Sequence, residues 1–169
     1  LLLMLSLITF MLTACEQQPQ SGSVGAPAPD FTLKDRQGKT WTLSELKGQV
    51  VFVNFWATWC PPCRDEMPAM QRLYDKMPKD KFKMLAIFNR DSPANADSFA
   101  KKLDLTIPLL NDQANNIGQM YGLTGLPETF IVGKQGILRD KYIGPARWDS
   151  PEFIQKIMGY INESVNQVQ

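Results

Sequence analysis

The sequence contains no histidine among its 169 residues. Histidine is the commonest transition-metal ligand and the usual general base near neutral pH. Its absence argues against hydrolases that pair a serine or cysteine with histidine, and against zinc or copper sites that contain histidine. We therefore expect neither a bound metal nor a cofactor.

The sequence also lacks an excess of charge of either sign. Its 18 Lys and Arg residues and 17 Asp and Glu residues give a net charge of +1, and no dense basic block is present. A nucleic-acid-binding face requires such a block, so we expect no nucleic-acid partner. A chain of this length, with 44% hydrophobic residues, is sufficient for one compact core.

The apolar run at the start of the chain, LLLMLSLITFMLTAC, is short. A bilayer-spanning helix needs about 20 apolar residues, so the run predicts the hydrophobic region of a secretory signal. The segment from Leu12 to Cys15 resembles the lipobox of bacterial lipoproteins, which predicts lipid on Cys15. A truncated, uncleaved membrane anchor and an ordinary signal peptide with an incidental cysteine are the alternatives. All three place the domain outside the cytoplasm.

Residues 16–28, EQQPQSGSVGAPA, are rich in Gln, Ser, Gly and Pro and show no apolar periodicity. This composition predicts a flexible tether between the signal segment, residues 1–15, and a folded domain, residues 29–169.

Alternating apolar and polar residues predict a hairpin from Phe31 to Leu43. The apolar run from Gln49 to Trp56 predicts a strand covered on both faces, in the middle of a sheet. Pro62 suits the first turn of a following helix. Further predicted elements are strands at 83–88 and 106–110, helices at 93–103 and 113–121, a hairpin of strands 129–132 and 137–143, and a last helix capped by Ser150. This order predicts an α/β sandwich around a mixed sheet.

Two cysteines, Cys60 and Cys63, lie in the stretch WATWCPPC at residues 56–63. A metal site needs about four ligands, and neither a second CxxC pair nor a histidine completes one. A structural disulfide across so short a loop would constrain the unfolded chain little. At a strand-to-helix junction, however, the helix N-terminus stabilises the thiolate that attacks disulfides. We therefore favour a redox-active dithiol.

The motif FWATWCPPC, Pro68 after it, and GLPETF at 125–130 resemble those of a thioredoxin fold. The N-terminal extension APAPDFTLKDRQGKTWTLSELKG, an insertion at about 93–110 and the lipobox are similar to the TlpA/ResA/DsbE-like extracytoplasmic thioredoxins. The resemblance covers roughly residues 24–165. It implies a three-layer α/β sandwich with a mixed central sheet, an N-terminal β-hairpin extension and an insertion.

The resemblance also implies roles for site residues. Cys60 would be the attacking, more exposed thiol, and Cys63 the resolving thiol. Pro127 would be a cis-proline whose loop, with Leu126, binds the substrate backbone beside the dithiol; an ordinary trans turn is the alternative. Trp59 would shield the disulfide, or be a plain core or surface aromatic.

Asn54 stands where thioredoxin has a buried aspartate, and an amide cannot shuttle the proton of the resolving thiol. Glu66 lies one helical turn after Cys63, at a position that is acidic in the cytochrome-maturation members of the family. It would accept that proton, or else be a solvated carboxylate at the helix start. Glu128, in the PETF stretch, would bind substrate or be a solvated loop charge.

The function implied by the resemblance is that of a membrane-tethered thiol–disulfide oxidoreductase. It would receive electrons from a membrane thiol donor and reduce protein disulfides, with apocytochrome c as a candidate substrate. The alternatives are a general disulfide reductase or isomerase, and a non-catalytic apocytochrome or copper chaperone. Peroxiredoxins share the APDFTL opening, but they have a threonine three residues before the nucleophilic cysteine. Here the residue three before Cys60 is Ala57, which disfavours peroxidase activity.

Overall fold

A computed structural model describes residues 22–164 of the chain. The predicted signal segment with Cys15, the tether residues 16–21 and the terminal residues 165–169 lie outside the described part. Within residues 22–164, no helix is both long enough and apolar enough to cross a membrane.

The centre of the fold is a five-stranded mixed sheet in the order β5-β4-β3-β6-β7. Strand β3, Val50–Trp56, is buried at every residue and lies in the middle, as the continuous apolar run predicts. Strand β4 runs parallel to β3 and to β5, whereas β6 is antiparallel to both β3 and β7. The other strands are β4 (Phe82–Asn89), β5 (Leu109–Asp112), β6 (Glu128–Val132) and β7 (Leu138–Ile143).

Both faces of this sheet are covered, because alternate residues of β3 point to opposite sides and all of them are buried. Phe52 and Trp56 belong to one apolar core, and Val51, Val53 and Phe55 belong to the other. The helices are α1 (Pro61–Lys76), α2 (Pro93–Lys102), α3 (Asn116–Met120) and α4 (Pro151–Asn162). This is the predicted three-layer sandwich. The Ser150 side chain caps α4 by accepting a hydrogen bond from the Phe153 N–H, as predicted.

The predicted N-terminal hairpin consists of β1 (Thr32–Lys34) and β2 (Thr40–Thr42), which pair antiparallel. A short 3-10 helix, Leu43–Leu46, follows it. Contacts of the folded domain begin before the predicted boundary at Pro29. The Gly25 N–H donates to the Leu138 carbonyl, and the Ala28 N–H donates to the Gly136 carbonyl, both at 2.8 Å. The end of the predicted tether, residues 16–28, is therefore bound to the domain from Gly25 to Ala28, and its residues 16–21 lie outside the described part.

Two elements differ from the prediction by more than one residue at an end. The strand predicted at 106–110 lies at Leu109–Asp112, because Pro108 has no N–H to donate to a sheet. The helix predicted at 113–121 is shortened to Asn116–Met120. Asp112 side-chain oxygens accept from the Ile117 and Gly118 N–H groups, and Asn115 has a left-handed φ of 59°. These side-chain contacts hold residues 113–115 in a turn that competes with the helix.

Candidate active site

The two cysteines lie after the end of the central strand β3, at the start of α1. Cys60 is the N-cap, and its Sγ accepts a hydrogen bond from the Cys63 N–H at 3.3 Å. Pro61 and Pro62 fit the first helical positions, where the missing N–H has no intrahelical acceptor. Cys60 and Cys63 form a disulfide with their Cα atoms 5.3 Å apart. Cys60 is 5% exposed and Cys63 fully buried, the order expected for an attacking and a resolving thiol.

The Leu126–Pro127 peptide is cis, as the resemblance implies, so the alternative of a trans turn is wrong. The register of the sheet pairs Phe55 with Glu128. Pro127 therefore lies just beyond this pair, at the end of the sheet where α1 begins. Leu126 packs against the apolar core that contains both cysteines. The cis-proline loop thus adjoins the dithiol.

Trp59 is exposed at the surface beside this loop, with 58% of its area accessible. Its indole N–H donates to the Arg90 carbonyl at 3.1 Å, and Arg90 has a positive φ of 50°. Trp59 and Leu126 line a cleft of about 320 Å³. The other lining residues are Asn89, Arg90, Asn115, Leu123, Thr124 and Gly125. Sequence reasoning missed Arg90, because no local pattern predicts this contact.

Glu66 is buried beneath the start of α1, so the alternative of a solvated carboxylate is wrong. Its Oε1 accepts from Asn54 Nδ2 at 3.0 Å. Its Oε2 accepts from Trp148 Nε1 at 2.7 Å and from the Ala146 N–H at 3.2 Å. Burial raises the pKa of Glu66 to about 6, although these three hydrogen bonds favour the charged form and oppose the rise.

Asn54 connects Glu66 to the neighbouring strand. Its side-chain amide Nδ2 also donates to Thr129 Oγ1 at 2.9 Å. The Asn54 Oδ1 atom is buried and has no hydrogen-bond partner in the described part of the chain. The Asn54 amide, at the position where thioredoxin has an aspartate, therefore holds Glu66 in place and does not titrate itself.

Glu128 is fully buried at the start of β6, so the alternative of a solvated loop charge is also wrong. Its Oε1 accepts from the backbone N–H groups of Thr124 and Gly125 at 2.8 and 3.1 Å, and from the Thr124 hydroxyl. Its Oε2 pairs with Lys141 Nζ at 3.1 Å. Burial raises its pKa, but the hydrogen bonds from Thr124 and the Lys141 ammonium outweigh burial and lower it overall. The carboxylate thus fixes the loop before the cis-proline.

The chain matches the model of the AhpC/TSA family over residues 24–141. It belongs to this family. A ResA thiol–disulfide oxidoreductase from Geobacillus thermodenitrificans is 40% identical over 68% of this chain and 66% of that protein, just under two thirds. A ResA from Bacillus cereus is 36% identical over 79% of this chain and 78% of that protein. A solved structure assigned as the thiol:disulfide interchange protein DsbE of Chlorobium tepidum is 27% identical, with a TM-score of 0.75 over 83% of this chain and 99% of that one.

These relatives and the Cys60–Cys63 pair make this family member a thiol–disulfide oxidoreductase of the ResA/DsbE type. The thioredoxin-like fold inferred from the sequence motifs is confirmed. This family member carries its cysteine pair at the start of a 16-residue helix, in which the buried Glu66 follows Cys63 by three residues. Helix N–H groups and dipole favour the thiolate there, and thiolates perform disulfide exchange.

Proposed function

We propose that this protein reduces protein disulfides outside the cytoplasm while tethered to a membrane by lipid on Cys15. The observation that carries the proposal is the redox pair at the start of α1 with the Glu66 carboxylate buried one turn further on. The lipobox supports the location, and the family resemblance supports a membrane thiol donor as the source of electrons. Apocytochrome c is a candidate substrate by the same resemblance.

In the proposed reaction, the Cys60 thiolate attacks a substrate disulfide and forms a mixed disulfide, releasing one substrate thiolate. Cys63 then loses its proton and attacks Cys60 Sγ, which releases the second substrate thiolate and closes the enzyme disulfide. Two electrons pass from the enzyme dithiol to the substrate, and the two released thiolates take up protons.

Glu66 is proposed to accept the proton of Cys63. With a pKa of about 6, its carboxylate is mostly ionised at pH 7 and able to take a proton. The raised value also brings it closer to the ordinary thiol pKa of about 8.5, which lowers the cost of the transfer. Asn54, an amide, provides no such group.

The substrate polypeptide is proposed to lie along the cleft between Trp59 and the cis-proline loop. The Pro127 carbonyl accepts a hydrogen bond from the Gly144 N–H at 2.9 Å, so Leu126 is the residue whose backbone we expect the substrate to pair with. Trp59 supplies an exposed apolar surface next to the disulfide. Glu128 contributes by holding Thr124 and Gly125, since its own carboxylate is buried.

A substrate trap tests this proposal. The variant Cys63→Ala leaves no resolving thiol, so we expect substrates to stay covalently attached to Cys60, whereas the matched variant Cys60→Ala should trap few or none. Adducts isolated from cells and identified by mass spectrometry name the substrates. Apocytochrome polypeptides select the maturation role, and a broad set selects general reduction. Equal trapping by both variants contradicts the assigned order. No trapping, together with wild-type protein inactive in insulin reduction, favours a non-catalytic chaperone.

A further inference from the structure

Trp148 lies in the loop between β7 and α4 and is fully buried. Three aromatic rings surround it edge to face, with centroids 5.0 Å away for Phe52, 5.3 Å for Tyr142 and 4.9 Å for Phe153. A buried indole usually needs a partner for its N–H. The partner here is the Glu66 carboxylate of the redox site, which lies 82 residues away from Trp148 in sequence.

The two oxygens of Glu66 have different surroundings. Oε2 faces the Trp148 indole N–H and the Ala146 backbone N–H, both of which are donors only. Oε1 faces the side-chain amide of Asn54, whose Oδ1 has no hydrogen-bond partner within residues 22–164. An amide that turns over exchanges a donor for an acceptor. If Oε1 is protonated, the Asn54 amide can therefore turn over and accept a hydrogen bond from it.

A protonated carboxyl group has one carbonyl oxygen and one hydroxyl oxygen. The carbonyl oxygen still accepts hydrogen bonds, so Oε2 keeps both donors if the proton goes to Oε1. Protonation of Oε2 would instead place a hydroxyl against two fixed N–H groups and weaken at least one hydrogen bond. The contacts thus favour Oε1 as the site of protonation.

We propose that Trp148 is a positioning residue for thiol–disulfide exchange: with the Ala146 N–H, it holds Glu66 Oε2 as a permanent acceptor and reserves Oε1 for the proton of Cys63. This inference rests on the proposed role of Glu66. In the resolving step, the proton leaves Cys63 Sγ for Glu66 Oε1. The electron pair left on sulfur forms the bond to Cys60 Sγ, and the bond from Cys60 to the substrate breaks with its electrons going to the substrate thiolate.

The groups that contact the carboxylate from β3 and from the β7–α4 loop are Asn54, Ala146 and Trp148, none of which titrates. On α1 itself, Cys63 is held in the disulfide. Tyr142 packs against Trp148, and its hydroxyl accepts a hydrogen bond from the Lys156 ammonium at 2.9 Å. Burial and the three uncharged donors therefore set the pKa of Glu66 in the oxidised protein.

The test replaces the donor atom alone. Benzothienylalanine, the tryptophan analogue with sulfur in place of the N–H, is incorporated at position 148, and Trp148→Phe serves as a second variant. The Glu66 carboxyl is titrated by carbon-13 NMR in the disulfide form of the full chain. Loss of a hydrogen bond to a charged group should raise the midpoint from about 6 to above about 7. Phe153→Leu, which disturbs the same aromatic cluster without removing a donor, should leave the midpoint near the wild-type value.

An unchanged Glu66 midpoint in a folded analogue protein overturns the inference, as does an equal rise in Phe153→Leu. A second readout, the pH dependence of Cys63 alkylation in the reduced protein, separates the inference from the proposed function. If the analogue changes this profile in the wild-type background but not in a Glu66→Gln background, Trp148 acts through Glu66. If Glu66→Gln leaves the profile unchanged while the analogue still moves the Glu66 midpoint, proton transfer by Glu66 is refuted and the orientation of its carboxylate by Trp148 stands.

Discussion

Replacing Glu66 with glutamine should change how the stability of the folded protein depends on pH. The Glu66 pKa is about 6 in the folded protein against an ordinary value of 4.5 for a glutamate in the unfolded chain. Between these values the folded state holds a proton that the unfolded state has lost, so the free energy of unfolding falls as the pH rises. One pKa unit corresponds to about 1.4 kcal/mol, so Glu66 costs about 2 kcal/mol of stability above pH 6, and this cost disappears below pH 4.5.

The side chain is only 4% exposed, so solvent screening does not reduce this value much. The measurement is urea unfolding of the oxidised wild-type and Glu66→Gln proteins at intervals from pH 4 to 8. The difference between their unfolding free energies should change by about 2 kcal/mol across the window from 4.5 to 6, in favour of the variant at higher pH. Asp65→Asn, at an exposed position on the same helix, controls for the loss of a negative charge. A difference that stays constant with pH for Glu66→Gln refutes the reasoning.

The remaining predictions concern the loop and the anchor. Glu128→Gln weakens the charge-assisted hydrogen bonds from Thr124 and Gly125, so we expect the unfolding free energy to fall by about 1.5–3 kcal/mol. With a model protein disulfide as substrate, we expect KM to rise by a larger factor than kcat falls. Lys141→Gln, which removes only the charge partner, should have a smaller effect on KM; an unchanged KM in Glu128→Gln would show that the loop does not shape the cleft. The native protein should partition into detergent and Cys15→Ser into the aqueous phase, and mass spectrometry that finds residues 1–14 still attached would contradict lipidation.

Local patterns predicted most of the architecture. The apolar run of β3, Pro62 in the first turn of α1 and the Ser150 cap are determined by neighbouring residues, and each is found in the structure. The position of the cysteine pair at the strand-to-helix junction follows from the same elements. The length of α3 was not predicted, because the Asp112 side chain bonds to backbone groups beyond the turn.

The surroundings of the two acidic site residues were beyond sequence reasoning. Whether a carboxylate near a helix or strand start is solvated or buried depends on residues that only folding brings to it. Glu66 is covered by Trp148, and Glu128 meets Lys141 from the neighbouring strand. No periodicity in the sequence links Glu66 to Trp148 or Glu128 to Lys141. The sequence therefore could not decide whether either carboxylate is buried or solvated.

The early start of the packed domain limits how far the dithiol can travel. The predicted tether, residues 16–28, would span at most about 50 Å between Cys15 and Pro29 when fully stretched. Gly22 is already close to Tyr121, since a Cβ at Gly22 would lie 2.3 Å from the Tyr121 carbonyl oxygen. With lipid on Cys15 as proposed, the segment from Cys15 to Gly22 has a maximum length of about 25 Å. The redox site would then stay within a thin layer next to the bilayer. Polypeptides that emerge from the membrane, and electron donors embedded in the membrane, would lie within its reach.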